Sequence, residues 1–257
     1  MRKAEQVFHS MGDLLHFALG LTIILFNGIA LWYTSYKQSS IFLGDVLTDM
    51  KFLNVNKVKL ALVVVSVIIM GFCISFLNEV NFGTDPCTMF NLGMATKLGI
   101  SLGNWQALFN CVLVVFVWIF AKEQIGWGTL ASMFLVGYSF DFFTWLNGFW
   151  IPADFFDSML HRVLVAVPVL VLFIIAVSVY VALQLGTAPY DAMPYVLHKL
   201  RNKIPFKMWR IGWDLGMCVI GLLLGSKAGV VTFIMAFAFG PTISWIQVHV
   251  VAKIWKE

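Results

Sequence analysis

Long apolar runs dominate this sequence and limit what it can fold into. Each run has the length of a helix that crosses the roughly 30 Å hydrocarbon core of a bilayer. With 60% hydrophobic and only 12% charged residues, the chain falls outside the range of soluble globular domains. We therefore expect an all-α integral membrane protein with about seven transmembrane helices. The predicted spans are about 14–36, 58–78, 103–121, 127–147, 162–182, 208–224 and 229–251.

Two shorter segments, 84–98 and 187–201, begin with Thr-x-Pro and carry too many polar groups for a full crossing. The sequence predicts a short helix in each. Thr84 and Thr187 can act as N-caps, and Pro86 and Pro189 then fall in the first turn, where a missing N–H costs nothing. Such half-helices or re-entrant segments are typical of transporters that bind their solute near the middle of the membrane.

Basic residues in the short loops predict the orientation of the chain. The densest basic cluster lies in 198–210, whereas 148–161 contains acids and neither Lys nor Arg. Because cytoplasmic loops are enriched in Lys and Arg, the first segment should be cytoplasmic and the second external. The basic residues are dispersed between apolar runs, so the net charge of +4 does not indicate nucleic-acid binding.

The sequence repeats internally. A shift of 103 residues, which carries Gly83 to Gly186, superposes Gly-Thr-x-Pro on Gly-Thr-x-Pro. The same shift carries Gly126 to Gly229, and each of these glycines is followed three residues later by threonine. Glycine, threonine and proline therefore recur at matching points of matching spans, which indicates two related halves.

The two halves should be inverted in the membrane, because a repeat with an odd number of crossings reverses the sense of the next. The segment after Gly83 is poor in Lys and Arg while its counterpart after Gly186 is rich in them, which supports inversion. If the half-helices cross fully, the repeat becomes parallel instead. The predicted divisions are an N-terminal span with an interfacial linker (1–57), repeat A (58–147), an external linker (148–161), repeat B (162–251) and a cytoplasmic tail (252–257).

Over about residues 58–250 these motifs resemble the bacterial YczE/YyaS/YitT family of membrane proteins. That family has a Gly-x-Gly-Thr element before the last span of each half. Gly126-Trp127-Gly128-Thr129 fits the pattern, whereas Gly229-Val230-Val231-Thr232 departs from it. The resemblance implies a multi-pass protein of the bacterial cytoplasmic membrane with a transport function, and it implies no particular solute.

Asp214 is the sharpest functional candidate. It lies inside a predicted span, where a carboxylate is costly unless it faces a cavity or a partner. One interpretation is a proton-coupling or cation site. The alternative is an ion pair with Arg210, which lies four residues earlier on the same helical face. The uncharged Asn110 is its approximate counterpart in the first half.

Asp85 and Asp191 lie in the first turns of the predicted half-helices. The helix dipole stabilises a carboxylate there, which is one explanation of their position. In the alternative, the helix N-termini, with Thr84 and Thr187, bind an anionic group of a solute. Asp141, near the outer end of its span, is expected either in water or paired with a deeper cation.

Two tryptophans, Trp105 and Trp209, begin matching spans and either anchor the chain at the membrane interface or line a pocket. Tyr190 lies on the second half-helix and is a further candidate for solute binding. The glycines and prolines of the two motifs are expected to allow close helix packing. These structural residues are Gly83, Pro86, Gly126, Gly186, Pro189 and Gly229.

These features favour a secondary transporter that moves a small solute by alternating access. The alternatives are a permease or capturing subunit of a larger transporter, and an accessory membrane protein that binds lipid or assists biosynthesis. Because the sequence contains no known catalytic motif and no His/Cys metal spacing, we expect no enzyme activity, no metal and no cofactor. The expected partners are the lipid bilayer and a small solute, without nucleic acid, and a homo-oligomer is left open.

Overall fold

In a computed structural model, residues 56–152 and 154–236 are described. They form seven α-helices and two short 3₁₀ helices, followed by a further helix that begins at residue 230. The α-helices are α1 (Lys57–Val80), α2 (Pro86–Leu98), α3 (Leu102–Ala121), α4 (Trp127–Trp150), α5 (Met159–Ala182), α6 (Pro189–Leu200) and α7 (Phe206–Leu223). The predicted first span, the linker before residue 56, most of the last span and the tail lie outside the described residues.

Three of the described helical stretches are long and apolar enough to cross a membrane: Lys57–Val80, Leu102–Gln124 and Met159–Ala182. Together with large exposed apolar side chains such as Trp145, Phe149 and Leu223, they identify an α-helical membrane protein. The predicted spans 127–147 and 208–224 form helices α4 and α7, but neither meets the same standard of apolarity. The total of seven spans therefore stays a prediction.

The two predicted short helices are present as α2 and α6, and each has proline in its first turn. The predicted N-caps are wrong by one residue. Asp85 caps α2, with its side chain accepting a hydrogen bond from the Thr88 N–H at 3.1 Å, and Ala188 occupies the cap position of α6. The reason is that proline takes the first helical position, so the residue directly before it becomes the cap.

Helix packing forms two apolar clusters. In the first, α1 packs against both α4 and α5, with Val67, Phe140 and Phe173 almost completely buried. In the second, α2 packs on α7 and α3 packs on α6, around Val117 and Val196. The short helix α2 thus packs on α7, which follows α6 in the chain. The short helix α6 packs on α3, which follows α2.

Asp141 of α4 ties two helices together. Its Oδ2 atom accepts a hydrogen bond from the Gly103 N–H at 2.9 Å, in the first turn of α3. Neither of the sequence-based expectations, solvation or pairing with a cation, describes this contact. A carboxylate at this point satisfies a backbone donor that the helix itself cannot satisfy.

We expect Asp141→Ala to lower the free energy of unfolding by about 1 kcal/mol, the usual cost of losing a helix cap. Thermal unfolding in detergent measures this change. Asp157→Asn, at an exposed position near the start of α5, serves as the control and should leave stability unchanged. Equal stability of Asp141→Ala and the unsubstituted protein would show that the contact contributes nothing.

Candidate site at the two half-helices

The turn before α6 packs closely on the turn before α4. The Gly128 N–H donates to the Leu185 carbonyl oxygen at 2.7 Å, and the Thr187 N–H donates to that of Gln124 at 2.8 Å. The Thr129 hydroxyl, which is fully buried, donates to the Thr187 carbonyl oxygen at 2.9 Å. A side chain at Gly126 would overlap the Leu185 carbonyl group, so the two backbones meet only because this position is glycine.

The turn before α2 makes the corresponding contacts with residues that follow α7. The Val231 N–H donates to the Phe82 carbonyl oxygen at 3.1 Å. A side chain at Gly229 would overlap that carbonyl, and one at Gly83 would meet the Gly229 nitrogen at 2.6 Å. Val231 corresponds to Gly128 in the internal repeat, and the bond survives this change because it uses the backbone N–H.

Four side chains from α6 and α7 form a charged network. The Tyr190 hydroxyl donates to Asp214 Oδ1 at 3.0 Å, and Arg210 Nε donates to Asp214 Oδ2 at 3.0 Å. Arg210 Nη1 donates to Asp191 Oδ1 at 2.7 Å. Asp214 is only 7% exposed. The ion pair with Arg210, one of the two interpretations of Asp214, is thus present, and it extends to a second acid on α6.

Asp85 adds a third acid to this network. It interacts electrostatically with both Asp191 and Asp214 from the start of α2. Cys87, in the first turn of α2, lies in the same region and interacts with the same acids and with Arg210. The acids of the network therefore outnumber its cation, and a cation or a proton that enters the network would be stabilised.

A tryptophan of α7 has an unsatisfied polar atom beside this network. The indole ring of Trp213 lies 5.7 Å from the ring of Tyr190, between centroids. Its Nε1 atom is buried, and no described residue accepts a hydrogen bond from it. Buried donors are normally paired, so this one marks a place where an acceptor from a bound molecule would be stabilised.

Asn91 is a polar residue that the sequence-based reasoning missed. It is fully buried in α2, where its Oδ1 accepts from Trp105 Nε1 at 3.0 Å and its Nδ2 donates to Cys87 Sγ at 3.3 Å. The contact holds Trp105 in the protein interior. The available signal was an amide inside the apolar stretch Phe90-Asn91-Leu92 of a half-helix, where an unpaired amide is costly.

The structure brings Tyr190, Asp191 and Asp214 together, with Asp85 close enough to interact electrostatically, and it gives the other predicted site residues different partners. Asn110 is buried and its Nδ2 contacts the Met133 carbonyl oxygen at 3.5 Å. The Thr187 hydroxyl donates a hydrogen bond to Gln124 Oε1 at 2.9 Å. Trp209 Nε1 donates to the Arg201 carbonyl oxygen at 3.4 Å.

A cavity of about 450 Å³ lies beside α2 and reaches Thr84, the neighbour of Asp85 in the chain. Its walls come from the ends of α1 and α7 and from one face of α2. The charged network is not part of its lining. The predicted solute site is therefore divided between a cavity that contains Thr84 and a network that contains Asp214.

We expect Arg210→Gln to lower the free energy of unfolding by about 2 kcal/mol, because it leaves Asp191 and Asp214 without their cation. This figure is below that for a fully buried pair because the Arg210 and Asp191 side chains are 29% and 37% exposed. Thermal unfolding in detergent measures the change. Lys207→Gln, at an exposed position of the same helix, should have no effect, and equal losses in the two variants would contradict the role given to Arg210.

Residues 57–248 match the profile of a family that is described as a family of unknown function (DUF6198). The match covers most of the chain. The chain belongs to this family. In this DUF6198 protein the matched region spans both short helices and the residues of the charged network. The N-terminal residues before 57 lie outside the match, as the resemblance based on sequence motifs also indicated.

This DUF6198 protein is similar to three further bacterial proteins, and two of them, YczE and YyaS, support the YczE/YyaS resemblance. An uncharacterized membrane protein of Bacillus subtilis, YczE, is 25% identical over 60% of this chain and 74% of its own length. A second B. subtilis protein, YyaS, is 20% identical over 54% and 68% of the two chains. An uncharacterized protein of Haemophilus influenzae is 22% identical over 67% and 75%. No solved structure matches the chain, and the YitT part of the resemblance stays a prediction.

Proposed function

We propose that this protein is a secondary transporter of the bacterial cytoplasmic membrane that moves a small solute by alternating access of two inverted repeats. The observation that carries the proposal is the reciprocal contact between the halves. The turn at Gly186 packs on Gly126, and the turn at Gly83 packs on Gly229. Each half makes the same contact on the other half. An approximate twofold axis relates two halves that pack in this way, as expected for inverted repeats.

The helix packing supports the same symmetry. The short helix α2 packs on α7, while α6 packs on α3, which is the counterpart of α7 in the internal repeat. The central helices α1 and α5, also counterparts, pack on each other. In such an arrangement one half can rock against the other about the shared contacts, which is the usual basis of alternating access.

The charged network supplies an ionisable group at the junction of the halves. Asp214 on α7 is nearly buried, and it is held by Tyr190 and Arg210. Protonation of Asp214 would remove its charge and release Arg210 to Asp191 alone. The hydrogen bond from Tyr190 on α6 to Asp214 on α7 would weaken while the Arg210–Asp191 pair remains, so proton binding would change how these two helices are held together. No catalytic residue is part of this proposal.

The proposal is tested with purified protein in proteoliposomes that contain a pH-sensitive dye. Amino acids, amines, organic acids and sugars are added in turn, each as a concentration gradient. We expect at least one class to drive proton movement that liposomes without protein do not show. If a folded preparation, verified by cooperative thermal unfolding, moves neither solute nor protons with any class, the transporter proposal fails.

A further inference from the structure

We infer that the cavity beside α2 binds a small zwitterionic solute, one with an ammonium and a carboxylate group, as in an amino acid. This inference deepens the proposed function, on which it rests, by naming the class of solute. Its volume of about 450 Å³ lies within the range of small-molecule sites and admits a solute of that size.

The charges around the cavity have both signs. Glu79, near the end of α1, and Lys227, just after α7, both line it, and both are exposed. Neither forms an ion pair with another described residue. A carboxylate and an ammonium on the rim of one cavity match a solute that carries the opposite groups, and charge-assisted hydrogen bonds are the stronger ones.

Backbone dipoles at the cavity favour a bound cation. Helices α1 and α7 both end at the cavity, since Asn78 and Asn81 line it on one side and Leu224 and Gly225 on the other. The C-terminal end of a helix carries partial negative charge, which stabilises a cation. The ammonium group belongs at Glu79, where the carboxylate and the end of α1 both favour it. The carboxylate belongs at Lys227 because of the lysine's charge alone, which offsets the partial negative charge at the end of α7.

Polar groups inside the cavity can bind the rest of such a solute. Thr84 is nearly buried, and Thr96 and Ser226 provide further hydroxyl groups in the lining. The Ser226 hydroxyl already donates to the Met89 carbonyl oxygen at 2.7 Å, so it is oriented to accept a bond from the solute. Because Thr84 adjoins Asp85 in the chain, a solute bound at Thr84 lies next to the acidic network that contains Asp214.

The test is equilibrium binding to purified protein in detergent. The probes are the common amino acids and glycine betaine, each compared with the matching amine and the matching carboxylic acid, which lack one charge. We expect at least one zwitterion to bind and to bind more tightly than both of its single-charge analogues. The result that overturns the inference is binding of either analogue as tightly as the zwitterion, or binding of none of the zwitterions.

Two variants locate the site. Glu79→Gln and Lys227→Gln should each raise the Kd of the zwitterion about two- to fivefold, the effect of losing one charge pair at an exposed position. Lys207→Gln and Asp157→Asn change charge at exposed positions that do not line the cavity and should leave Kd unchanged. An unchanged Kd in both cavity variants, with Tm equal to that of the unsubstituted protein, contradicts the assignment.

Failure of this inference differs from failure of the proposed function. If zwitterions bind through Glu79 and Lys227 but drive no proton or solute movement in proteoliposomes, the cavity assignment stands and the transporter proposal fails. If another solute is transported and neither cavity variant affects its transport or binding, the transporter proposal stands and the cavity assignment fails.

Discussion

Gly186→Ala should lower the free energy of unfolding by about 3 kcal/mol or more. Gly186 has a φ of 115°, which disfavours any residue with a side chain. A Cβ atom there would lie 2.7 Å from the Gly126 nitrogen and 2.9 Å from its Cα. Both contacts are with backbone, so relief requires the two turns to separate, and overpacking of this kind is strongly destabilising. Thermal or denaturant unfolding in detergent measures the loss.

Two glycines of α7 provide matched controls for this substitution. A Cβ atom at Gly212 or Gly216 would have no neighbouring heavy atom within 4 Å. Alanine at either position should leave stability unchanged or raise it by up to about 1 kcal/mol, because alanine favours helix more than glycine does. A loss in Gly186→Ala no larger than in these controls would show that the contact with Gly126 is not a close one.

Asp214→Asn should reduce solute-driven proton movement at least tenfold while the protein remains folded. The amide keeps a side-chain oxygen that can accept from Tyr190 or Arg210, so the shape of the network is largely retained. It cannot release or bind a proton in the way a carboxylate does. The expected cost in stability is about 1 to 2 kcal/mol, the value for a weakened charged hydrogen bond. Proton flux and Tm, measured on the same preparation, separate the two effects.

The local features of the fold were predictable from the sequence. Proline fixes the start of each short helix, and the apolar runs fix α1, α3 and α5, because both depend on residues that are close together in the chain. The pairing of Arg210 with Asp214 was also predictable, since a spacing of four places both on one helix face.

The contacts between distant segments were not predictable. Arg210 reaches Asp191 on the preceding helix, and Asp141 reaches the first turn of α3, because of how the helices pack rather than how they are spaced. The bond between Asn91 and Trp105 depends on the antiparallel packing of α2 and α3. The cavity lies between the ends of α1 and α7, which are far apart in the sequence. Glu79 and Lys227 therefore belong to no shared sequence motif that could have predicted the cavity.

In the proposed mechanism, solute crosses the membrane at the junction of the two halves and Asp214 couples this movement to protons. The direct measurement is solute-driven proton flux in proteoliposomes for the unsubstituted protein, for Asp214→Asn and for Asp157→Asn. We expect flux in the unsubstituted protein and in Asp157→Asn, and its loss in Asp214→Asn, which remains folded. Undiminished flux in folded Asp214→Asn would contradict it.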